Sequence, residues 1–485
     1  MSEEEMKIIS HPLFNRLRKI KQNTFLYFVF PSANHTRFEH SIGVMHLASE
    51  MFINSFSNAG TLRIKQKKYG IGGNKNILDI AHFKNEDFIT AFLDLRIAAI
   101  LHDIGHGPMS HLFDEFAPKN SDFLSMVKYD EDLGFQDEFA KSLENIMKEK
   151  NKDLTKNHVE HEYVSYYFAA KVLTDLGFEK TRIKRILSIM NEQLNLETIN
   201  LILDGDDYNL TPFLNQIVAG APLDCDRMDY LLRDSYFSGV KYGTYDLNRL
   251  LKSLLPFIDI ERKQIRLGIK KSGLPAIENF LQARYELYVQ VYFHKTNQAC
   301  NAMLSHATRK LRDKNYEFVK CNTPFDFISK YLNLSDERFL DDIYGSIPDD
   351  DDKETIEDLK NRKLWKRVIE VYPESEKMRK EDIKDQIINV LNWILNKDSR
   401  LKPFVTECLN SNDPLKDLNG NKAVLLKKDT DENYTVSEEG DWIENSIIFK
   451  ALSKKYLVGR VYMRVKEDEQ GKNLFRSLKQ EIKKL

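Results

Sequence analysis

The sequence predicts a mainly α-helical fold, a helical bundle followed by a smaller mixed region of helix and strand. Three observations predict it. Apolar residues recur at helical spacing through most of the first 320 positions. No strand–helix–strand alternation with a glycine-rich phosphate loop appears, which argues against P-loop and dinucleotide-binding folds. Beyond Lys422 the pattern changes, and Ala423–Leu426 and Tyr456–Met463 favour strands.

In chain order, Thr36-Arg37-Phe38-Glu39 has capping-box form, so a helix starts there and runs on through Met51. Thr90–Leu101 carries apolar residues at Phe92, Leu93, Leu95, Ile97, Ala98, Ile100 and Leu101, giving a helix with one wide buried face. His161–Leu176, Leu223–Tyr236 and Leu274–Arg312 also read as helices. Two excursions interrupt the bundle. Gly60–Asp87 is rich in Lys, Gly and Asn. Ala117–Asn157 is rich in Lys, Asp and Glu, with one helix expected near Glu138–Lys148. Ser335–Lys380 is a third, with Asp349–Asp352 expected as a solvated loop. The division expected is 1–320 for the main domain, with insertions near 60–87 and 117–157, and 321–485 for the C-terminal region.

Composition narrows the function. A chain of 485 residues that is 42% hydrophobic and 30% charged builds a core and a polar surface, which excludes a fully disordered protein. Its net charge of −2 gives no global sign of nucleic-acid coating. Lys65–Lys68 and Lys479–Lys484 are the local basic stretches that leave such contact open. No apolar run approaches the ~18–20 residues of a membrane span, and the acidic start Met1-Ser2-Glu3-Glu4-Glu5 is unlike a signal peptide. A cytoplasmic protein is expected. Cys225, Cys300, Cys321 and Cys408 form no CxxC pair, so any metal site must draw on histidine and carboxylate.

Such residues are clustered. Of 12 histidines, His35 and His40 flank one helix start, His102, His106 and His111 fall within ten residues, and His158 and His161 follow. In Leu101-His102-Asp103-Ile104-Gly105-His106-Gly107 an apolar helix ends in an imidazole beside a carboxylate. Neutral nitrogen with hard oxygen suits Zn, Fe, Mn or Ni. Neighbouring residues diverge by ~100° around a helix, so both reach one ion only at a terminus or with ligands from elsewhere. His40 and a later aspartate are the candidates. A lone His-Asp pair more often caps its helix, but three clusters together weigh against that. Downstream, Asp224, Asp226, Asp229 and Asp234 interrupt an otherwise apolar helix. Asp226, Tyr230 and Asp234 share one face, and Asp229 with Arg233 forms an i, i+4 pair beside it. Leu223, Met228, Leu231 and Leu232 make that helix substantially buried, where unpaired charge is costly.

Taken together, Thr36-Arg-Phe-Glu-His-Ser-Ile-Gly-Val44, His102-Asp103 and Asp226 resemble the H…HD…D signature of HD-domain metal-dependent phosphohydrolases. The closer resemblance is to the deoxynucleoside triphosphate triphosphohydrolases, both bacterial dGTPase-like enzymes and the vertebrate SAM-and-HD-domain enzyme. It covers about His11–Ala307 apart from the excursions, with no SAM domain expected ahead of it. It implies a divalent metal (Mn, Mg, Fe, Ni or Zn) on His40, His102, Asp103 and Asp226. It implies a catalytic cluster of His106, His111, Asp114 and His161. It also implies phosphate contacts from Arg37, Arg227 (where the family has lysine) and Arg284, sugar 3′-hydroxyl contacts from Gln22, Tyr230 and Asp234, and Tyr292 packed against the deoxyribose.

The reaction implied is attack of water on the α-phosphorus of a dNTP, giving deoxynucleoside and tripolyphosphate. Alternatives are another HD phosphohydrolase, acting on a nucleoside monophosphate or an alarmone, and a nucleotide- or nucleic-acid-binding regulator with secondary hydrolysis. The family also suggests a homo-oligomer, dimer or tetramer, with a nucleotide effector between subunits. Here Ser10 stands where the vertebrate enzyme reads guanine with an aspartate, and Asn15 replaces a glutamine. Arg18 is retained, and Lys295 lies by resemblance near a second effector pocket. A hydroxyl cannot accept two parallel hydrogen bonds from a guanine edge as a carboxylate does, so strict GTP dependence is not expected.

Overall fold

The computed structural model describes residues 1–60, 85–150, 152–203, 206–259, 261–320, 323–374, 378–412, 424–430, 433–436, 446–452 and 456–482. Lys65–Lys68, Cys321 and the last three residues lie outside these spans. The fold is mainly α-helical with two small sheets.

Six helices position the site: α1 (Arg37–Gly60), α2 (Asn85–Leu101), α3 (His161–Asp175), α4 (Cys225–Ser238), α5 (Leu274–Leu287) and α6 (Lys295–Ala307). The α1 start is fixed by Glu39, whose Oε2 accepts from the Thr36 amide at 2.9 Å and from the Thr36 hydroxyl. The helix outruns its expected end at Met51 because Phe52 and Phe56 stay buried against Phe88 of α2 and against Phe213. In α2 the residues from Ile97 to Leu101 are all buried, so the helix threads the core and emerges only at His102. α4 begins where the Asp224 side chain accepts from the Arg227 amide and ends at Gly239, with φ +68°.

The continuous helix expected over Leu274–Arg312 is broken. α5 passes into a π-helical turn, Tyr288–Tyr292, and α6 starts afresh after His294, whose ring nitrogen accepts from the Thr296 amide at 3.2 Å. Cap chemistry at His294 overrides the apolar periodicity, and the break holds Tyr288 and Tyr292 over α4.

The Ala117–Asn157 segment is no loose excursion. It forms two helices, Asn120–Lys128 and Gln136–Glu149, which bury Phe123, Val127, Phe139 and Leu143. Asp349–Asp352 is likewise not a solvated loop. Asp350–Asp352 occupy the first turn of the Asp350–Lys360 helix, where carboxylates complement the helix dipole, and Asp352 is buried against Lys310 at 3.1 Å. The main apolar cluster does not stop at residue 320, since Phe327, Tyr331, Phe339, Ile343, Ile356 and Leu359 all belong to it.

The strands are β1 (Asn200–Leu203), β2 (Asp206–Asn209), β3 (Leu254–Asp259), β4 (Gln264–Lys270), β5 (Lys366–Val371), β6 (Val405–Asn412), β7 (Val424–Thr430), β8 (Asn433–Val436) and β9 (Tyr456–Met463). One sheet runs β1-β2-β4-β7-β8 with β3 also on β4, and the other is antiparallel, β5-β9-β6. Around the second sheet Val368, Val405, Val461 and Met463 form a smaller core with Ile387, Ile394, Leu478 and Ile482. Among the described residues no helix is long and apolar enough to cross a membrane.

Candidate metal centre and substrate pocket

Three elements bring the four expected ligands together. His40 lies in the first turn of α1, His102 and Asp103 in the turn that ends α2, and Asp226 in the first turn of α4. His40 Nε2 stands 3.0 Å from Asp226 Oδ1 and 3.8 Å from Asp103 Oδ2. His102 Nε2 is 3.6 Å from Asp226 Oδ1 and 3.6 Å from Asp103 Oδ1. Atoms bound at about 2.1 Å to one ion stand about 3.0–3.4 Å apart in octahedral or tetrahedral arrangements, so His40, His102 and Asp226, whose ligand atoms lie within 4.8 Å of one another, need only small adjustment to close on a cation, with Asp103 at their edge. Both Nε2 atoms are buried and make no hydrogen bond, whereas their opposite nitrogens are held, His40 Nδ1 by Asp229 Oδ2 at 2.8 Å and His102 Nδ1 by the Ala99 carbonyl at 2.8 Å. This is the arrangement in which a second partner orients an imidazole toward a metal.

Electrostatics agree. Burial alone lowers the pKa of His40, but Asp226 and Asp229 overcome it and push the group up to about 10. Burial raises that of Asp226, yet His102 and His40 hold its carboxyl well below the usual range. The field that favours a proton on His40 also favours a cation among the four side chains.

Close approach of α1 and α4 makes this possible. Gly43 has no Cβ, and the space one would occupy is filled by the side chains of Asp229 and Arg233. Asp229 in turn accepts two hydrogen bonds from Arg233, at 2.7 and 2.9 Å. The i, i+4 pair expected from sequence is therefore present, and Asp229 has a further role toward His40 that sequence reasoning missed. The available signal was its place three residues after Asp226, on the adjacent strip of the same helix.

Beside the metal group lies the second cluster. The His106 and His161 rings stack with centroids 3.5 Å apart, His161 Nδ1 is 3.1 Å from Asp114 Oδ2, and His111 Nδ1 is 3.6 Å from the same oxygen. His111 is the open member, its side chain 78% exposed. Burial together with the neighbouring Arg37 guanidinium pulls His106 well below the usual imidazole range. Burial also opposes charge on His161, but Asp114 and Glu162 raise it. His106 Nε2 is 3.5 Å from Asp103 Oδ1, which links the two clusters.

A cavity of about 310 Å³ opens from this point, lined by Gln22, Arg37, His111, Tyr230, Asp234 and Tyr292 among others. At its metal end Arg37 donates to Asp103 at 2.5 Å and to Ser110 at 2.9 Å. Further along, Asp234 accepts from Tyr292 at 2.5 Å and from Asn23 at 2.9 Å, and its other oxygen meets His35 Nε2 at 2.6 Å. Asn23 and Ser110 were not expected from sequence, and His35, noted there only as one of the clustered histidines, pairs with Asp234; only the fold brings them to the cavity or its walls. Arg227 and Arg284 do not line this cavity. Arg227 turns back to its own helix cap, donating to Asp224 and, at 2.7 Å, to the Gly220 carbonyl. The Arg284 guanidinium lies 5.6 Å over the Tyr288 ring. A separate cavity of about 1200 Å³ is strongly basic, with Lys295, Arg362, Lys366, Arg367, Arg464 and Lys472 in its wall.

Comparison with known proteins points the same way. The family described as HD associated region matches residues 245–391, a span that holds Arg284, Tyr292 and Lys295 but none of the four metal candidates. Protein MJ1154 of Methanocaldococcus jannaschii is 30% identical over 347 residues, 71% of this chain and 54% of its own length. The Dictyostelium discoideum homologue of the deoxynucleoside triphosphate triphosphohydrolase SAMHD1 is 25% identical over 98% of this chain and 77% of its own. Human SAMHD1 is 25% identical over 78% of this chain. The chain spans about half the length of the Methanocaldococcus and human relatives. A crystal structure of a phosphohydrolase from Bacteroides thetaiotaomicron superposes with a TM-score of 0.59, covering 94% of both chains at 24% identity, and so shares the fold.

Proposed function

We propose that this chain, similar over most of its length to the SAMHD1 triphosphohydrolases, is a metal-dependent HD-domain phosphohydrolase that cleaves dNTPs to deoxynucleoside and tripolyphosphate. The observation that carries this reading is the meeting of His40, His102 and Asp226, with Asp103 beside them and the two buried Nε2 atoms facing the carboxylates, next to a nucleoside-sized cavity that Arg37 and His111 line. The names of the SAMHD1 relatives support the choice of dNTP.

These four side chains would hold a divalent cation; which of Mn, Mg, Fe, Ni or Zn it is does not follow from nitrogen and oxygen donors alone. When bound, such an ion supplies Lewis-acid stabilisation of charge building on phosphoryl oxygens. Arg37, anchored by Asp103 and Ser110, is preorganised to neutralise the same charge. Water attacks the α-phosphorus, the bond to the 5′-oxygen breaks, and that oxygen needs a proton. His111, open to the cavity and oriented by Asp114, is the proton donor in this reading. His106 faces the Asp103 carboxylate and His161 holds that of Asp114.

Tyr292, fixed by its hydrogen bond to Asp234, presents its ring to the sugar and excludes a 2′-hydroxyl by bulk. Gln22, Tyr230 and Asp234 take the 3′-hydroxyl end. Arg227 and Arg284 keep the role of outer phosphate contacts, which requires Arg227 to leave Asp224 when substrate binds. A homo-oligomer is proposed by family analogy, and the basic cavity beside Lys295 is where a nucleotide effector would bind.

The test is turnover of the four dNTPs with Mn or Mg, together with elemental analysis. Asp226→Ala is expected to lose both bound metal and turnover. Wild-type metal content in Asp226→Ala would overturn the assignment.

A further inference from the structure

Arg16 is a cation in the wrong place for ordinary surface chemistry. It is 3% exposed, and among the described residues no carboxylate lies within ion-pair distance of it. Its guanidinium sits between two buried aromatic rings, 5.4 Å from the Phe168 centroid and 5.2 Å from that of Tyr331. Burial pulls its pKa down to about 10. A buried charge without a counter-ion is costly, and an apolar side chain of similar volume would fill the same space more cheaply.

What the guanidinium does hold is the turn that ends α2. Nη1 donates to the His106 carbonyl at 2.7 Å and Nη2 donates to the Ile104 carbonyl. Between those two carbonyls, the Gly105 amide donates to Ser165 Oγ of α3 at 2.8 Å, and a Cβ on Gly105 would collide with the Ser165 amide and the His161 carbonyl. The turn is therefore clamped from both sides. It carries Asp103 and His106, whose side chains stand 3.5 Å apart. The clamp also reaches further along the chain, because Asp336 accepts from the Lys21 amide at 2.8 Å and from the Met109 amide at 2.9 Å.

We infer that Arg16 is a positioning residue for the metal centre, its planar fork setting the Ile104 and His106 carbonyls and through them the direction of Asp103 and His106. The fork geometry is what matters: two carbonyls are bridged by one rigid group, which a lysine ammonium cannot reproduce. Residues 16–21 thereby become part of the metal site without touching metal or substrate, and displacement of that segment reaches the site through the Arg16 fork as well as through the Asp336 link.

The inference rests on the metal-site reading, and its test separates the two. Manganese affinity by chelator competition, thermal midpoint, and amide exchange over residues 103–109 in metal-free protein are measured for wild type, Arg16→Met, Arg16→Lys and Arg16→Ala. Leu17→Ala serves as a control, a buried neighbour whose apolar side chain cannot hydrogen-bond the turn. Arg16→Met and Arg16→Lys are expected to fold, to bind manganese about 10–100-fold more weakly, as partners that orient metal ligands do, and to exchange faster at 103–109. Added guanidinium should restore affinity to Arg16→Ala. Leu17→Ala should lose thermal stability and keep its affinity. Wild-type affinity in Arg16→Met, or affinity losses in Arg16→Met and Leu17→Ala that simply track lost stability, would overturn the inference. If wild type itself bound no manganese, the metal reading would fail. The exchange comparison would then still decide the role of Arg16, unchanged exchange counting against it.

Discussion

Which atom of an imidazole faces which oxygen decides the chemistry at the residue scale. His40 gives Nδ1 to Asp229 and leaves Nε2 for the metal pocket. Asp229→Ala should therefore keep all four ligands yet bind metal about 10–100-fold more weakly, and turnover at saturating metal should recover in part. Titration calorimetry with manganese checks this, and an unchanged affinity would remove Asp229 from the site. The residues proposed as ligands stand out in the sequence, because histidine and aspartate recur beside glycine in segments otherwise apolar. Asp229, Asn23 and Ser110 do not, since their roles depend on chain segments more than 70 residues away meeting in space. Arg227 is a different case: the resemblance gives it a phosphate contact, while in the free protein the helix cap at Asp224 holds its guanidinium.

The geometry of helix crossings and breaks decides more at the level of elements. Gly43→Ala would place a methyl group on Asp229 and Arg233. Overpacking of this kind typically costs about 1–3 kcal/mol, and here it should also weaken metal binding, because the displaced groups orient His40. Denaturant unfolding with and without manganese measures both effects. The break after the π-helical turn was not legible, because the apolar spacing of Leu274–Arg312 continues across it and only the His294 cap interrupts the backbone.

The C-terminal sheet makes its own prediction. Burial raises the Glu370 carboxyl pKa, but Arg460, 2.5 Å away on β9, and Arg367 carry it below the ordinary value. A carboxylate with a lowered folded pKa stabilises above its unfolded pKa, and that contribution is lost as pH falls through the folded value. Acidification below the usual carboxylate range should thus loosen this sheet, read by Trp393 fluorescence, and Glu370→Gln should flatten that dependence.

For the whole molecule, a metal held by the proposed ligands would join α1, the α2 turn and α4, which come from three distant parts of one core. Binding to the folded state alone adds stability by mass action, about 2.7 kcal/mol when free metal is one hundred times its dissociation constant. Chelator treatment should lower the thermal midpoint of wild type and leave that of Asp226→Ala unmoved. A midpoint indifferent to metal in wild type would count against a preformed site. At this scale the helical class and the strand-bearing C-terminal region were readable from periodicity. The main core's reach beyond residue 320 was not, because the charged surfaces of the Asp336–Ser346 and Asp350–Lys360 helices mask short apolar faces such as Phe339, Ile343, Ile356 and Leu359.

The proposed reaction is hydrolysis at the α-phosphorus beside a metal held by His40, His102, Asp103 and Asp226. The most direct test is identification of the first products from a single dNTP, by phosphorus NMR together with chromatography of the nucleoside, in the presence of manganese. Tripolyphosphate and free deoxynucleoside are expected in equal amounts, with no diphosphate nucleotide at any time. Appearance of dNDP with orthophosphate as the first products would move the attack to the γ-phosphorus and contradict it.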